Sequence, residues 1–279
     1  MDNLHSLFSD QPELEKKYHD LVDVLKELQP VSIAFSGGVD SSLLVKVAYE
    51  NLQDKCLALI GNSPSFPPQE LEEAKQLAQQ IGVTYEIVET SEMQDARYLE
   101  NPPDRCFHCR IHSMEDLLRR SKELGFKNLV DGANVDDASD YRPGRKAAKQ
   151  MGLRSPLLEA SIHKQEVRAL ARAMQLPVWD KPAAACLSSR IPYGTTITIE
   201  ALKKINQAEL ALKKFGFNNV RVRHYDELAR IEIDPEAFDR VIKNRVEIAQ
   251  ALKDLGYTYI TLDLDGFRSG SMNLPLMSR

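Results

Sequence analysis

Three groups of residues in this chain have the types and spacing to do chemistry. The first is Ser36-Gly37-Gly38-Val39-Asp40-Ser41-Ser42. An apolar, β-branched run at residues 31–35 precedes it, and Leu43, Leu44, Val47 and Ala48 follow at helical spacing. Strand, glycine-rich turn and helix start, in that order, make a phosphate cradle. Freed backbone N–H groups and the positive end of the helix dipole face one point. Ser36, Ser41 and Ser42 add hydroxyl donors. The second group is thiols: Cys106 and Cys109 form a C-x-x-C pair, and Cys186 stands far downstream. The third is basic. Arg221 and Arg223 alternate along a predicted strand, so both project from one face. Arg268 sits among the turn residues Gly266, Ser269 and Gly270. Three converging arginines would hold a phosphate through charge-assisted, bidentate hydrogen bonds.

The first group is not a Walker A loop, which needs a longer spacing and a lysine in the turn. It resembles instead the PP-loop of the N-type ATP pyrophosphatases, whose signature is S-G-G-x-D-S. The resemblance implies that Ser36, Gly37, Gly38, Asp40, Ser41 and Ser42 bind ATP and that Asp40 helps hold Mg2+. The α-phosphate is then attacked, leaving pyrophosphate and an adenylated substrate. Asn62 ends the next predicted strand beside this loop. The run DGANVDDASDYRPG, residues 131–144, is a turn-rich, acidic candidate active-site loop in which Arg142 can face a phosphate or carboxylate. Lys181 is a further candidate to stabilise departing pyrophosphate.

Cys56 opens a predicted buried strand and reads as a small hydrophobe. The other three cysteines admit four readings. They could form a structural zinc site completed by His108 or His112, a redox dithiol, or unrelated thiols. They could also be three ligands of a [4Fe-4S] cluster whose fourth iron stays open to carry sulfide. The cluster is the preferred reading, and the others stay open.

Composition narrows the class. The 279 residues suffice for one large domain or two modest ones. Apolar content of 43% and charged content of 28% are ordinary for a globular protein. A net charge of −5 and a pI near 5.8 argue against a mainly electrostatic nucleic-acid binder. No nucleic-acid partner is expected. The first residues carry neither a basic segment nor a long apolar run, so neither a signal peptide nor a membrane span is expected. The expected location is the cytoplasm, where cysteines serve as thiols or ligands rather than disulfides.

These groups need a scaffold to bring them together. Helical spacing over residues 12–28 leads into the strand at 31–35. A helix at 41–53, a strand at 56–60, a helix at 69–82 after Pro67-Pro68 and a strand at 83–88 follow. This alternation predicts an α/β fold, an open parallel sheet with helices on both faces, which binds nucleotides at the carboxyl ends of its strands. Residues 91–105 read as a loop or broken helix, 106–124 as a helix and 128–130 as a strand. Ser161 reads as the cap of a helix holding Val167, Leu170, Ala171 and Met174. Beyond it lie a lysine-rich helix at 198–215, strands at 219–223, 229–233 and 257–262, and a helix at 237–252. The expected domains are residues 1–190 for ATP, and residues 191–279, a small α+β domain completing the substrate site.

Jointly, SGGVDS at 36–41, DYRPG at 140–144, ACLSSRIPYGTT at 185–196, VRVR at 220–223 and GFRSG at 266–270 resemble the LarE family over nearly the whole chain. These are ATP-dependent sulfur transferases of nickel-pincer nucleotide biosynthesis. The resemblance implies adenylation of a carboxylate of pyridinium-3,5-biscarboxylate mononucleotide with ATP and Mg2+, then sulfur insertion to a thiocarboxylate. It implies catalytic Cys186, a sulfide or other sulfur donor as partner, and a homo-oligomer; the clamp of Arg221, Arg223 and Arg268 agrees with a phosphorylated substrate of this kind, and Phe267 or Tyr193 could lie against its pyridinium ring. In the single-cysteine branch the thiol matching Cys186 is itself sacrificed to dehydroalanine. Cys106 and Cys109 depart from that branch and resemble the three-cysteine branch, which implies sulfide delivered from a [4Fe-4S] cluster. The rivals are a tRNA thiolase, an ammonia-using synthetase and a non-catalytic nucleotide sensor.

Overall fold

The computed structural model describes residues 2–139, 150–182, 185–268 and 272. The helices in chain order are α1 (Asp2–Asp10), α2 (Pro12–Leu28), α3 (Val39–Leu52), α4 (Pro68–Ile81), α5 (Ala96–Leu99), α6 (Arg105–Glu123), α7 (Asp136–Ser139), α8 (Pro156–Glu159), α9 (Lys164–Ala173), α10 (Ile199–Lys213), α11 (Phe238–Lys243) and α12 (Arg245–Asp254). The strands are β1 (Val31–Ala34), β2 (Cys56–Asn62), β3 (Tyr85–Glu89), β4 (Asn128–Val130), β5 (Val220–Tyr225), β6 (Leu228–Ile233) and β7 (Tyr259–Leu262). Two compact units result. The first comprises Met1–Ser63, Pro68–Met93 and Cys106–Ala184; the second comprises Pro64–Pro67, Gln94–Arg105 and Ala185–Arg279.

The first unit is the predicted α/β layer structure. Its four strands are all parallel, in the order β3-β2-β1-β4. Both sheet faces are covered, so the strands are apolar rather than alternating in polarity. Val31 and Ile33 of β1 join Cys56, Ala58 and Ile60 of β2 in one core with α2, α3, α4 and α9. Leu57, Leu59, Val88 and Leu129 face the other way, against Met114 and Leu117 of α6. Ser32 also faces that side, where its hydroxyl meets Ser121 Oγ at 2.7 Å, so no buried polar group is stranded there. Gly82, at φ +91°, ends α4 as the sequence indicates.

Helix α6 runs antiparallel to β3. Arg120 Nη2 meets Glu86 Oε1 at 2.6 Å, and Asp116, further back along the helix, accepts from Ser91 N at 2.8 Å just past the end of β3. The first turn of α6 therefore overhangs the carboxyl edge of the sheet. There Arg110 Nη2 pairs with Asp131 Oδ2 at 2.7 Å, immediately after β4.

The second unit carries a mixed sheet, β5-β6-β7, antiparallel on one side of β6 and parallel on the other. Val222, Ala229, Ile231 and Ile233 pack against Ala208, Leu212, Ile248 and Leu252. Thr198 caps α10, accepting from Ala201 N at 3.1 Å. The helix expected over 237–252 is split instead. Asn244 leaves helical geometry (φ −102°, ψ 21°) and its amide donates to Arg240 O at 2.7 Å, so α11 and α12 meet at a break. Ser161 is likewise not the cap of α9. It takes φ +56°, and His163 stands at the cap position with its N–H donating to Glu166 Oε2 at 2.7 Å. Helix α1 was not signalled by the sequence. Among the described residues, no helix is long and apolar enough to cross a membrane.

His224 lies in the core of this second unit, 6% exposed, with Nδ1 3.0 Å from the Tyr257 hydroxyl. Burial, reinforced by Lys204, pushes its pKa down. The unfolded chain then binds the extra proton first. His224 therefore contributes stability that is complete above about pH 6.5 and is lost as pH falls towards the depressed folded value. The thermal midpoint should drop between about pH 7.5 and 5.5, and His224→Phe should flatten that drop. An unchanged slope in the variant would remove His224 as its source.

Candidate active site

Strand β1 lies between β2 and β4. The chain leaves β1 towards β2 and β3 on one side, and returns to β4 on the other. The carboxyl ends of β1 and β4 thus flank the switch point, where such sheets bind ligands. After β1 the chain turns through Ser36-Gly37-Gly38. Gly37 has φ +71°, and a Cβ there would stand 3.0 Å from Ala74 Cβ of α4. Both the conformation and the space require glycine.

Gly38 occupies the N-cap of α3 and offers no capping side chain. The N-terminal donors of α3 are thus left to a ligand. The serines shape the turn: Ser42 Oγ donates to Gly38 O at 2.7 Å, Ser41 Oγ donates to the same carbonyl at 3.2 Å, and Gly38 N donates to Ser36 Oγ at 3.4 Å.

The loop after β4 closes against this helix start. A Cβ on Gly132 would lie 2.9 Å from Ser41 N, so only glycine permits the approach. Asn134, 1% exposed, donates from Nδ2 to Asp40 Oδ1 at 2.9 Å. Its own Oδ1 accepts from Asp136 N at 2.9 Å, which fixes the amide. Lys164 Nζ pairs with the other oxygen of Asp40. Asp136 accepts from Lys164 N, and this bond, helped by His163, holds its carboxyl below the usual range. Asp131 takes Arg110 and the Ser155 hydroxyl, at 2.7 and 2.6 Å. The sequence singled out this loop but not Asn134 or Gly132 individually, and nothing local marks Lys164.

The other candidates in this unit lie as follows. Asn62 ends β2 and donates to Glu89 Oε1 at 2.7 Å. Lys181 Nζ is held by Glu70 and Glu73 of α4, at 2.6 and 2.7 Å. Burial opposes its charge, but those hydrogen bonds outweigh it and raise its pKa. Arg142 lies outside the described residues. Cys106 and Cys109 stand one turn apart at the start of α6, exposed and half-buried respectively. Cys56 is buried, and burial, then Asp54, pushes its thiol up to about 11, so it stays protonated. Among the described residues, no three His, Cys, Asp or Glu side chains are grouped to hold a metal ion.

In the second unit Cys186, half-buried, precedes a tight turn at Leu187–Arg190. Arg190 Nη1 donates to Cys186 O at 2.9 Å. The same guanidinium pairs through Nε with Glu209 Oε1 at 2.8 Å, and Glu209 Oε1 accepts from Val222 N at 3.0 Å. The cysteine turn is thereby tied to β5. Arg223, on that strand, is engaged by buried Glu232 at 2.6 Å. Arg230 also reaches Glu232, at 3.0 Å. Arg221 differs. Its guanidinium donates to Val220 O at 2.8 Å, lies 5.2 Å from the Phe267 ring, and has no ion-pair partner among the described residues. Burial, then Arg190, lowers its pKa. Arg268 pairs with Asp265 at 2.7 Å on the surface, and Tyr193 lies under Arg105 at 5.5 Å.

A parallel sheet with an uncapped, serine-lined glycine turn at its switch point defines an ATP-using enzyme of the PP-loop class. The NAD synthase family matches residues 13–104, which span this turn. A protein of Synechocystis sp., slr1717, is 45% identical over 265 residues, covering 94% of this chain and 99% of that protein. The pyridinium-3,5-bisthiocarboxylic acid mononucleotide synthase of Lactiplantibacillus plantarum is 38% identical over 261 residues, covering 93% and 95%. The NH(3)-dependent NAD(+) synthetase of Pyrococcus furiosus is 37% identical over 193 residues, covering 61% and 68%. The chain belongs to the family of the pyridinium-3,5-bisthiocarboxylic acid mononucleotide synthases, the LarE family.

Gly132→Ala should push the β4 loop off α3 and break the Asn134–Asp40 contact. The expected cost is about 1–3 kcal/mol of stability, with weaker nucleotide binding, read by thermal melting with and without ATP. Wild-type behaviour on both counts would show that the close approach is dispensable.

Proposed function

We propose that the chain is an ATP-dependent sulfur-inserting synthase acting on pyridinium-3,5-biscarboxylate mononucleotide, with thiocarboxylate, AMP and pyrophosphate as products. The family supports the substrate, and the PP-loop match supports ATP. The observation that carries sulfur insertion is the tie from the Cys186 turn through Arg190 and Glu209 to the strand of Arg221. The Cys186 thiol and a half-buried guanidinium with no ion-pair partner among the described residues then belong to one hydrogen-bonded piece.

The reaction divides between the units. In the first, the backbone N–H groups at the α3 N-terminus orient the ATP phosphates, and the Ser36, Ser41 and Ser42 hydroxyls rotate from their bonds within the turn to join them. A substrate carboxylate oxygen attacks the α-phosphorus, and the bond to pyrophosphate breaks with its electron pair leaving on pyrophosphate. Pre-set N–H dipoles stabilise that charge without reorganisation. In the second unit, Arg221 with Arg223 and Arg268 binds the substrate phosphate. Sulfur then adds to the acyl carbon, and AMP departs with the carbon–oxygen bonding pair. AMP is a far better leaving group than hydroxide, which is the purpose of adenylation.

Two bound groups belong to this reading. The Asp40 carboxylate suits Mg2+, a hard cation that prefers oxygen donors; it would neutralise phosphate charge. Cys106, Cys109 and Cys186 would hold the [4Fe-4S] cluster. Their thiolate chemistry suits iron, two of them share a helix turn, and none is buried as Cys56 is. The cluster would supply sulfide.

The test is anaerobic incubation of purified protein with the biscarboxylate mononucleotide, ATP, Mg2+ and sulfide. Equal amounts of AMP, pyrophosphate and thiocarboxylate are expected, and Cys186→Ala should lose the thiocarboxylate while still releasing pyrophosphate. ADP in place of AMP, or thiolated tRNA instead of thiocarboxylate, would contradict the assignment. Iron should be present as purified or after reconstitution, and Cys106→Ala should lose it. Iron-free protein in which Cys186 becomes dehydroalanine would replace the cluster by sacrificial donation.

A further inference from the structure

Residues Gln94–Arg105 belong to the second unit, although the chain on either side of them builds the first. Their hydrogen bonds account for this. Asn101 is fully buried and takes a left-handed conformation, φ +56°, which asparagine tolerates better than most side chains. Its Nδ2 donates to Pro192 O at 2.7 Å, Thr195 O at 3.1 Å and Ile191 O at 3.3 Å. Its backbone carbonyl accepts from Gly194 N at 2.9 Å. These bonds gather the chain that follows the Cys186 turn. The turn itself is held by two neighbours of Asn101. The Tyr98 hydroxyl meets Ser188 Oγ at 2.6 Å, and both residues are buried. Arg105 Nη1 bridges Asn101 Oδ1 at 2.5 Å and Ser188 O at 2.9 Å. Arg105 is itself buried, and it is the first residue of α6, immediately before Cys106.

We propose that Arg105, with Asn101 and Tyr98 behind it, is a positioning residue for the sulfur-handling thiols. It holds the turn of Cys186 and the first residue of the helix that carries Cys106 in one set of bonds. The proposal rests on the reading of Cys106, Cys109 and Cys186 as ligands of one cluster, and adds to it the residues that present them. Cys106 and Cys109 need no such support to stay together, because one helix turn joins them. Cys186 lies far downstream, so its place depends on how firmly its turn is held. One side of that turn is tied by Arg190, through Glu209, to β5. Arg105 supplies the other side. A turn ordered in advance spares the bound group the entropy of ordering it, and bonds behind the ligands govern how well they hold a metal.

A network that serves folding alone makes a different prediction. The experiment is anaerobic titration of the full chain with Co2+, which reports bound thiolates through sulfur-to-metal charge-transfer absorption. Wild type is expected to show three thiolates per cobalt, and Cys186→Ala two. Arg105→Met should weaken Co2+ binding about 10- to 100-fold and give the two-thiolate spectrum of Cys186→Ala. Arg105→Lys should restore part of both. Thr198→Ala, which removes the cap of α10 in the same unit, is the control. It should lower the melting temperature and keep three thiolates. Wild-type affinity and spectrum in Arg105→Met would overturn the proposal while leaving the cluster reading standing. So would a two-thiolate spectrum in Thr198→Ala, since any loss of stability would then suffice. Should Arg105→Met not fold, Tyr98→Phe decides. It keeps the ring and loses the bond to Ser188, and about 2- to 10-fold weaker Co2+ binding is expected; unchanged binding rejects the proposal. Wild-type protein that holds cobalt with fewer than three thiolates, or not at all, would remove the cluster reading and this proposal with it.

Discussion

An uncapped helix start is the constraint on which the nucleotide end of this protein depends. Most helices satisfy their first N–H groups with a side chain at the cap. Helix α3 has glycine there, and its neighbouring serines turn their hydroxyls back onto the Gly38 carbonyl. The donors are left for an anion, and the sheet makes that arrangement rigid. β1 and β4 are paired in register, Val31 with Asn128 and Ile33 with Val130, so the loops that follow them must meet. They meet through Gly132 against Ser41 and Asn134 against Asp40. Binding energy is then not spent on ordering the loop when ligand arrives.

The second unit solves the opposite problem. It buries Arg190, Arg223, Glu209 and Glu232, whose desolvation is costly unless each charge is paired. Glu209 takes Arg190, and Glu232 takes Arg223 and Arg230. Arg221, in the same field, has no ion-pair partner among the described residues. A half-buried positive charge held near other positive charges is an expense to the fold that an anionic ligand would relieve. Under the proposed function, Arg221 rather than surface Arg268 is therefore the main anchor for the substrate phosphate. The carbonyl of Cys186 belongs to the same network through Arg190, so charge and thiol are positioned by one set of bonds.

Local features were legible in the sequence; long-range ones were not. The strand–turn–helix of the cradle is written in fifteen consecutive residues, and the alternation of apolar runs announced the parallel sheet. Asn134 and Lys164 reach Asp40 across 94 and 124 positions, and no periodicity carries such a pairing. The alternation of Arg221 and Arg223 correctly put them on one face, but their different fates depend on Glu232, opposite Arg221 in the antiparallel register. Helix ends failed where a polar residue could act in more than one way. Ser161 reads as a cap yet adopts left-handed geometry, and Asn244 interrupts a run whose apolar spacing is continuous.

The central claim is that the glycine–serine turn after β1 activates a carboxylate by joining it to AMP. The most direct test is oxygen tracing. Substrate bearing 18O in its carboxylates is turned over, and the AMP is weighed by mass spectrometry. The account predicts one 18O in the phosphate of each AMP released, because the attacking oxygen leaves with phosphorus. AMP without label, formed alongside thiocarboxylate, would mean that the acid was never adenylated.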